Sequence, residues 1–115
     1  MTELYAQGDV ILERVADAKP KQLIKADPDG SVVLARGEVT GHRHRFAPDS
    51  GVTMFRDDGL ARNMPAELYI GHIKVASGGS DLVHEEHDKI TLPAGTYRVR
   101  RQREWDSTAA RIVAD

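Results

Sequence analysis

Apolar positions along the chain come in short bursts separated by turn-forming residues, and the bursts have the length and make-up of β-strands. DVILERV (9–15), SVVLAR (31–36), EVTGHRHRF (38–46), VTMF (52–55), ELYIGHIKV (67–75), KITL (89–92) and TYRVRRQREW (96–105) are enriched in residues that fit a pleated, half-buried surface. Between them lie ADPDG (26–30), APDSG (47–51), RDDG (56–59), SGGSD (77–81) and LPAGT (92–96). Each joins Pro or Gly to Asp or Ser, residues that fix φ, permit positive φ or bond the backbone locally. Regular spacing of this kind predicts an all-β fold, a small barrel or jelly-roll-like sandwich of about 7 to 9 short strands. The stretch ADAKPKQLIKADPDG (16–30) alternates Lys and Asp around Pro20 and reads as an exposed connection. At the end, DSTAARIVAD (106–115) predicts a short C-terminal helix, with Asp106 or Ser107 as cap and an apolar stripe of Ala109, Ala110, Ile112 and Val113.

With 115 residues the chain suits one domain spanning 1–115. Only two Phe, three Tyr and one Trp are present, so the core falls to Val, Ile and Leu. Sixteen Lys and Arg against 18 Asp and Glu give no global attraction to nucleic acid or an anionic membrane. Cysteine is absent, which excludes disulfides and thiolate metal sites. No basic and apolar leader opens the chain and no apolar run reaches the roughly 20 residues that span a bilayer. The expectation is a cytoplasmic protein without membrane contact.

Two histidine clusters carry the candidate chemistry. In TGHRHRF (40–46), alternation along a strand points His42, His44 and Phe46 one way and Arg43 and Arg45 the other. Two imidazoles about 6.6 Å apart along a strand can converge on one ion, since Zn–N bonds are about 2.0–2.1 Å. In HEEHD (84–88), His84 and His87 flank Glu85 and Glu86. A tight bend brings positions i and i+3 to one side; a continued strand sends them to opposite faces. In the bent case His42, His44, His84 and His87 form a candidate ligand set, with Glu86 as an alternative ligand. Imidazole and carboxylate accept several first-row ions, so Zn, Ni, Mn and Fe(II) all fit this donor set. Glu85 and Glu86 are the candidate proton-transfer groups if the site is catalytic. His72, alone in YIGHIKV, reads as a core histidine with a satisfied ring.

Around these residues the chain resembles the cupins, small β-barrels whose first motif joins a glycine to an HxH pair and whose second contains a PxG turn. The matching elements are Gly37 ahead of His42 and His44, and Pro93 with Gly95 in LPAGTY. The resemblance spans about residues 37–100 and implies a jelly-roll barrel holding a divalent metal, with His42 and His44 as its first two ligands. No glutamate follows His44 at the family's spacing and Arg98 stands where the second-motif histidine falls, so HEEH must supply the remaining ligands.

TYRVRRQREW adds Arg98, Arg100, Arg101 and Arg103. On one strand Tyr97, Val99, Arg101, Arg103 and Trp105 share a face, and Arg98, Arg100, Gln102 and Glu104 share the other. Arg98, Arg101 and Arg103 are candidates to grip an anionic small molecule beside the metal. The rival reading is a non-catalytic module whose arginines contact nucleic acid or a partner protein; assembly into a homo-oligomer stays open. The chain lacks GxxxxGKS/T, GxSxG, HExxH and CxxC, which removes the phosphate-loop, serine-hydrolase, zinc-protease and thiol-redox readings.

Overall fold

A computed structural model of the chain describes residues 3–36, 41–61 and 64–102. Among these, ten strands form: β1 (Leu4–Gln7), β2 (Val10–Val15), β3 (Gln22–Leu23), β4 (Val32–Arg36), β5 (Arg43–Phe46), β6 (Val52–Arg56), β7 (Tyr69–Val75), β8 (Ser80–His84), β9 (His87–Leu92) and β10 (Gly95–Arg101). They make two antiparallel sheets, one in the order β1-β2-β10-β7-β6-β3 and one in the order β4-β5-β8-β9. The architecture is all-β and sandwich-like, as the strand spacing predicts.

Alternation explains how the sheets meet. Val10 and Leu12 of β2, Tyr97 and Val99 of β10, and Ile73 and Val75 of β7 face a common core; Phe46, Leu82, Ile90 and Leu92 meet them from the other sheet. The intervening residues Glu13, Arg98 and Lys74 lie on the far side of the larger sheet. Phe46 has no exposed surface and pairs with Val32 and Leu82, so it stands at the middle of the smaller sheet's inner face.

The differences from the sequence reading have local causes. The strand β1 has only four residues and β8 only Leu82 and Val83 as apolar members, so neither stands out as a hydrophobic run. In the expected exposed connection, Gln22 and Leu23 do stay exposed but pair with Arg56 and Phe55 at the edge of the larger sheet. RDDG opens a single 3₁₀ turn, Asp58–Ala61, whose first amides are capped by Asp57 Oδ1 at 3.0 Å from Gly59 N and 3.3 Å from Leu60 N. Among the described residues no helix is long and apolar enough to cross a membrane. The expected C-terminal helix over 106–115, the first residues of EVTGHRHRF, and Gly37, Arg103 and Trp105 lie outside the described residues.

Truncating the central anchor tests this packing. Phe46→Ala is expected to lower the unfolding free energy by about 3–5 kcal/mol in urea titrations, the usual cost of removing a buried aromatic ring. Leu23→Ser, at a side chain 66% exposed, is expected to stay within about 0.5 kcal/mol of the parent.

Candidate metal centre

The HEEH segment folds as a two-residue hairpin. Glu85 and Glu86 make the turn between β8 and β9, and His84 and His87 are direct cross-strand partners. This is the bent arrangement, in which both imidazoles lie on one face. A bulge between Leu82 and His84 shifts the register just before the histidine, a common device for re-aiming a side chain. Because β5 is the other neighbour of β8, with Phe46 opposite Leu82, the HxH pair arrives beside the same hairpin. Ring centroids are 4.3 Å apart for His44 and His84, 4.7 Å for His84 and His87, 5.7 Å for His42 and His84, and 5.8 Å for His44 and His87. The chain thus gathers four of its five histidines at one end of the sandwich.

His44 is the buried member, and Gln7 at the end of β1 determines its chemistry. The Gln7 amide nitrogen donates to the carbonyls of Leu82 and Asp88, both at 3.0 Å. Its oxygen, 2.9 Å from His44 Nδ1, is therefore the acceptor, so His44 carries its proton on Nδ1 and its lone pair on Nε2. A ring nitrogen anchored to an acceptor while the other stays open is the usual setting of a metal-ligating histidine. Burial, followed by the neighbouring His84, lowers the His44 pKa to about 4, so the ring is neutral at pH 7. His84 is lowered as well, again first by burial and then by His87.

Gly8 makes the gathering possible. It has φ +58°, and a Cβ there would stand 2.7 Å from His87 Nε2 and 3.2 Å from His44 Cε1. A side chain at position 8 would force the His87 ring to shift and would crowd His44.

Toward solvent, the ligand atoms of His42, His84 and Glu85 lie within 4.8 Å of one another. The turn that bears Glu85 is tied to the start of β5, since Arg43 N donates to Glu85 Oε1 at 2.9 Å. That bond, with the turn's own amide and the nearby histidines, holds the Glu85 pKa below the usual carboxylate value. A proton-transfer group works best with a pKa near the working pH, so Glu85 suits a ligand better than the acid–base role expected of it. Glu86 Oε1 lies 3.6 Å from His42 Nδ1, and the Glu86 amide donates to His84 Nδ1 at 3.0 Å. The expected four-histidine ligand set is drawn together as a cluster, but the group that closes on one point among the described residues is His42, His84 and Glu85. His44 and His87 flank it.

The arginines divide between two faces. Tyr97 and Val99 take the core side of β10, so Arg98 and Arg100 fall on the outer face, where Arg98 Nη2 and Arg100 Nε lie 2.6 and 3.3 Å from Glu13 Oε1. Arg98 is therefore not beside the histidines, contrary to expectation. Arg101 returns to the inner parity and lies 3.2 Å from Asp9 Oδ2, while Asp9 Oδ1 is 4.0 Å from His44 Nε2. His72 is a buried core residue 2.6 Å from Tyr69 Oη and takes no part in the cluster. Gln7, Gly8 and Asp9 were missed by the sequence reading; the signal was QGD immediately before the first apolar run, a Gly-X pair suited to a hairpin turn.

Residues 6–102 match the family model described as a domain of unknown function (DUF8820), and the chain belongs to that family. The matched stretch contains every site residue named above. No curated protein and no solved structure matches the chain.

The lowered His44 pKa predicts a pH dependence of stability. The folded value, about 4, lies below the roughly 6.5 of an unfolded chain, so protonation favours unfolding. The contribution is complete above about pH 6.5 and is lost as pH falls toward 4, on the order of 3 kcal/mol; His84 adds to it with the same sign. Urea unfolding between about pH 7 and pH 4.5 should show this decline in the parent and a flatter profile in His44→Leu.

Proposed function

We propose that this member of the family is a divalent-metal-binding domain of cupin-like character, with His42, His84 and Glu85 as ligands and His44 and His87 beside them. The observation that carries this reading is the convergence of those three side chains within 4.8 Å from two separate hairpin regions. Two imidazoles and a carboxylate are a donor set for first-row ions such as Fe(II), Mn(II), Ni(II) or Zn(II). An ion with bonds of about 2.0–2.1 Å would draw the ligand atoms to about 3.4 Å separation, a small contraction from the present spacing.

The surrounding chemistry supports the same reading. His44 is neutral, buried and fixed in its tautomer, so the ring beside the proposed ion brings no competing positive charge. The Glu86 amide donates to His84 Nδ1 at 3.0 Å, so an ion bound at that nitrogen would have to displace the amide. Three protein ligands leave an open position, and the ion would supply Lewis acidity there. Glu86, which contacts His42 without belonging to the converging set, would be the group to move a proton if the site is catalytic. The nucleic-acid reading gains no support from the described arginines, since Arg98 and Arg100 are engaged by Glu13 and Arg101 by Asp9.

Calorimetric titration with Zn(II), Ni(II), Mn(II) and anaerobic Fe(II) tests the proposal. At least one ion is expected to bind with one-to-one stoichiometry and to raise the melting temperature. His84→Ala and Glu85→Gln are expected to weaken binding by about 100-fold or more, and His72→Gln to leave it unchanged. A parent protein indifferent to all four ions, or equal loss in His72→Gln, contradicts the assignment.

A further inference from the structure

Among the described residues the larger sheet ends at β3. Ile24 N donates to Met54 O at 2.9 Å, and Gln22 pairs with Arg56 in the same register. Alternation along an antiparallel ladder then turns the N–H and C=O of Leu23, between them, away from β6 and toward the free side. All residues from 19 to 26 are exposed. The exposed large hydrophobic side chains among the described residues gather here as well. Leu23 (66%) and Ile24 (38%) lie on this segment, and Leu60 (41%) lies in the 3₁₀ turn that follows β6, the neighbour of β3. Lys25, Ala26, Asp27 and Pro28, which continue the chain, line a cavity of about 540 Å³. Apolar groups concentrated at one sheet edge, with backbone bonds unmade, are the marks of a surface that takes a partner strand.

Charge selects the partner. Residues 19–25 carry Lys19, Lys21 and Lys25 and no carboxylate, in a chain whose net charge is -2. Nearby acids are already matched: Asp27 by Arg36 and Arg43, Asp58 by Arg56, and Asp17 by Lys74. Asp57 lies 3.8 Å from Lys21, which stays 74% exposed, and among the described residues Lys19 and Lys25 have no carboxylate partner. Lys21 and Lys25 stand two residues to either side of Leu23, the spacing that shares a face on an extended chain. A second copy of the chain is the wrong occupant. Antiparallel self-pairing about Leu23 sets Lys21 opposite Lys25 twice, and like charges directly opposite are destabilising. We propose that the β3 edge docks an extended segment of a partner protein as an antiparallel strand, with an apolar residue opposite Leu23 and an acidic residue two positions to either side. The open backbone groups and apolar side chains favour such a strand over nucleic acid, whose phosphates would engage the lysines alone. This inference does not depend on the metal reading.

The test follows the fluorescence anisotropy of a short labelled peptide as the full chain is added. The peptide has valine at its centre, glutamate two positions to either side and threonine between. Saturable binding is expected, weakened by about tenfold or more in the double variant Lys21→Glu, Lys25→Glu and by added salt. Methylating the peptide's central nitrogen removes the donor that faces Leu23 O and leaves the protein untouched. It is expected to weaken binding by about tenfold or more. An unchanged melting temperature in the double variant shows that its loss is one of docking. A peptide that does not bind, a double variant or a methylated peptide equal to its parent, or an oligothymidylate bound more tightly than the peptide overturns the proposal. So does a dimer of the parent in sedimentation that Leu23→Ser dissolves, because a second copy then occupies the edge.

Discussion

A single buried amide governs this end of the molecule. Gln7 leaves the larger sheet and satisfies three groups of the smaller one: the Leu82 and Asp88 carbonyls through its nitrogen and the His44 ring through its oxygen. Gln7 has no exposed surface, so an end of its amide left unpaired would cost about 1–3 kcal/mol. The bonds are therefore specific in direction as well as in partner. Because two carbonyls claim the amide nitrogen, the oxygen must accept, and because it accepts, His44 must hold its proton on Nδ1. The register of β5, β8 and β9 at this end and the chemistry of the buried imidazole are consequences of one side chain.

From that constraint the electrostatics of the cluster follow. Four imidazoles within 4.3–5.8 Å of a neighbour repel one another when charged, and burial adds to the cost of charging His44 and His84. Asp9, Glu85 and Glu86 stand at the rim and offset part of this. The buried His44 is neutral at pH 7 and the cluster around it is bordered by carboxylates, which is a ligand environment for a cation. Gly8 is the steric counterpart of Gln7, since the rings occupy the space that a Cβ would fill.

The architecture was legible because alternation is strong where a strand has a wet face: VILERV, KITL and TYRVRR each name their core side correctly. Parity also placed His42 and His44 together and separated them from Arg43, which pairs outward with Asp27 and Asp29. What spacing alone left open was the path of HEEH, because i and i+3 share a side only when the chain turns there. The two-residue hairpin resolves it. Arg98 was misplaced for a related reason: its strand was correctly read, but its attraction to Glu13 across the sheet depends on the β2–β10 register, which no local pattern reveals. Gln7 carries no motif at all. Its role exists only where the first strand passes the end of β8 and β9, more than 70 residues later.

Nitrogen-detected NMR of the histidine side chains during addition of Zn(II) tests the central claim most directly, because it reports the tautomer and ligation of each ring separately. The account predicts His44 protonated on Nδ1 before zinc is added, and ring-nitrogen shifts on zinc binding at His42 and His84 with His72 unmoved. A His44 ring protonated on Nε2, or zinc-induced shifts that leave both His42 and His84 untouched, would contradict it.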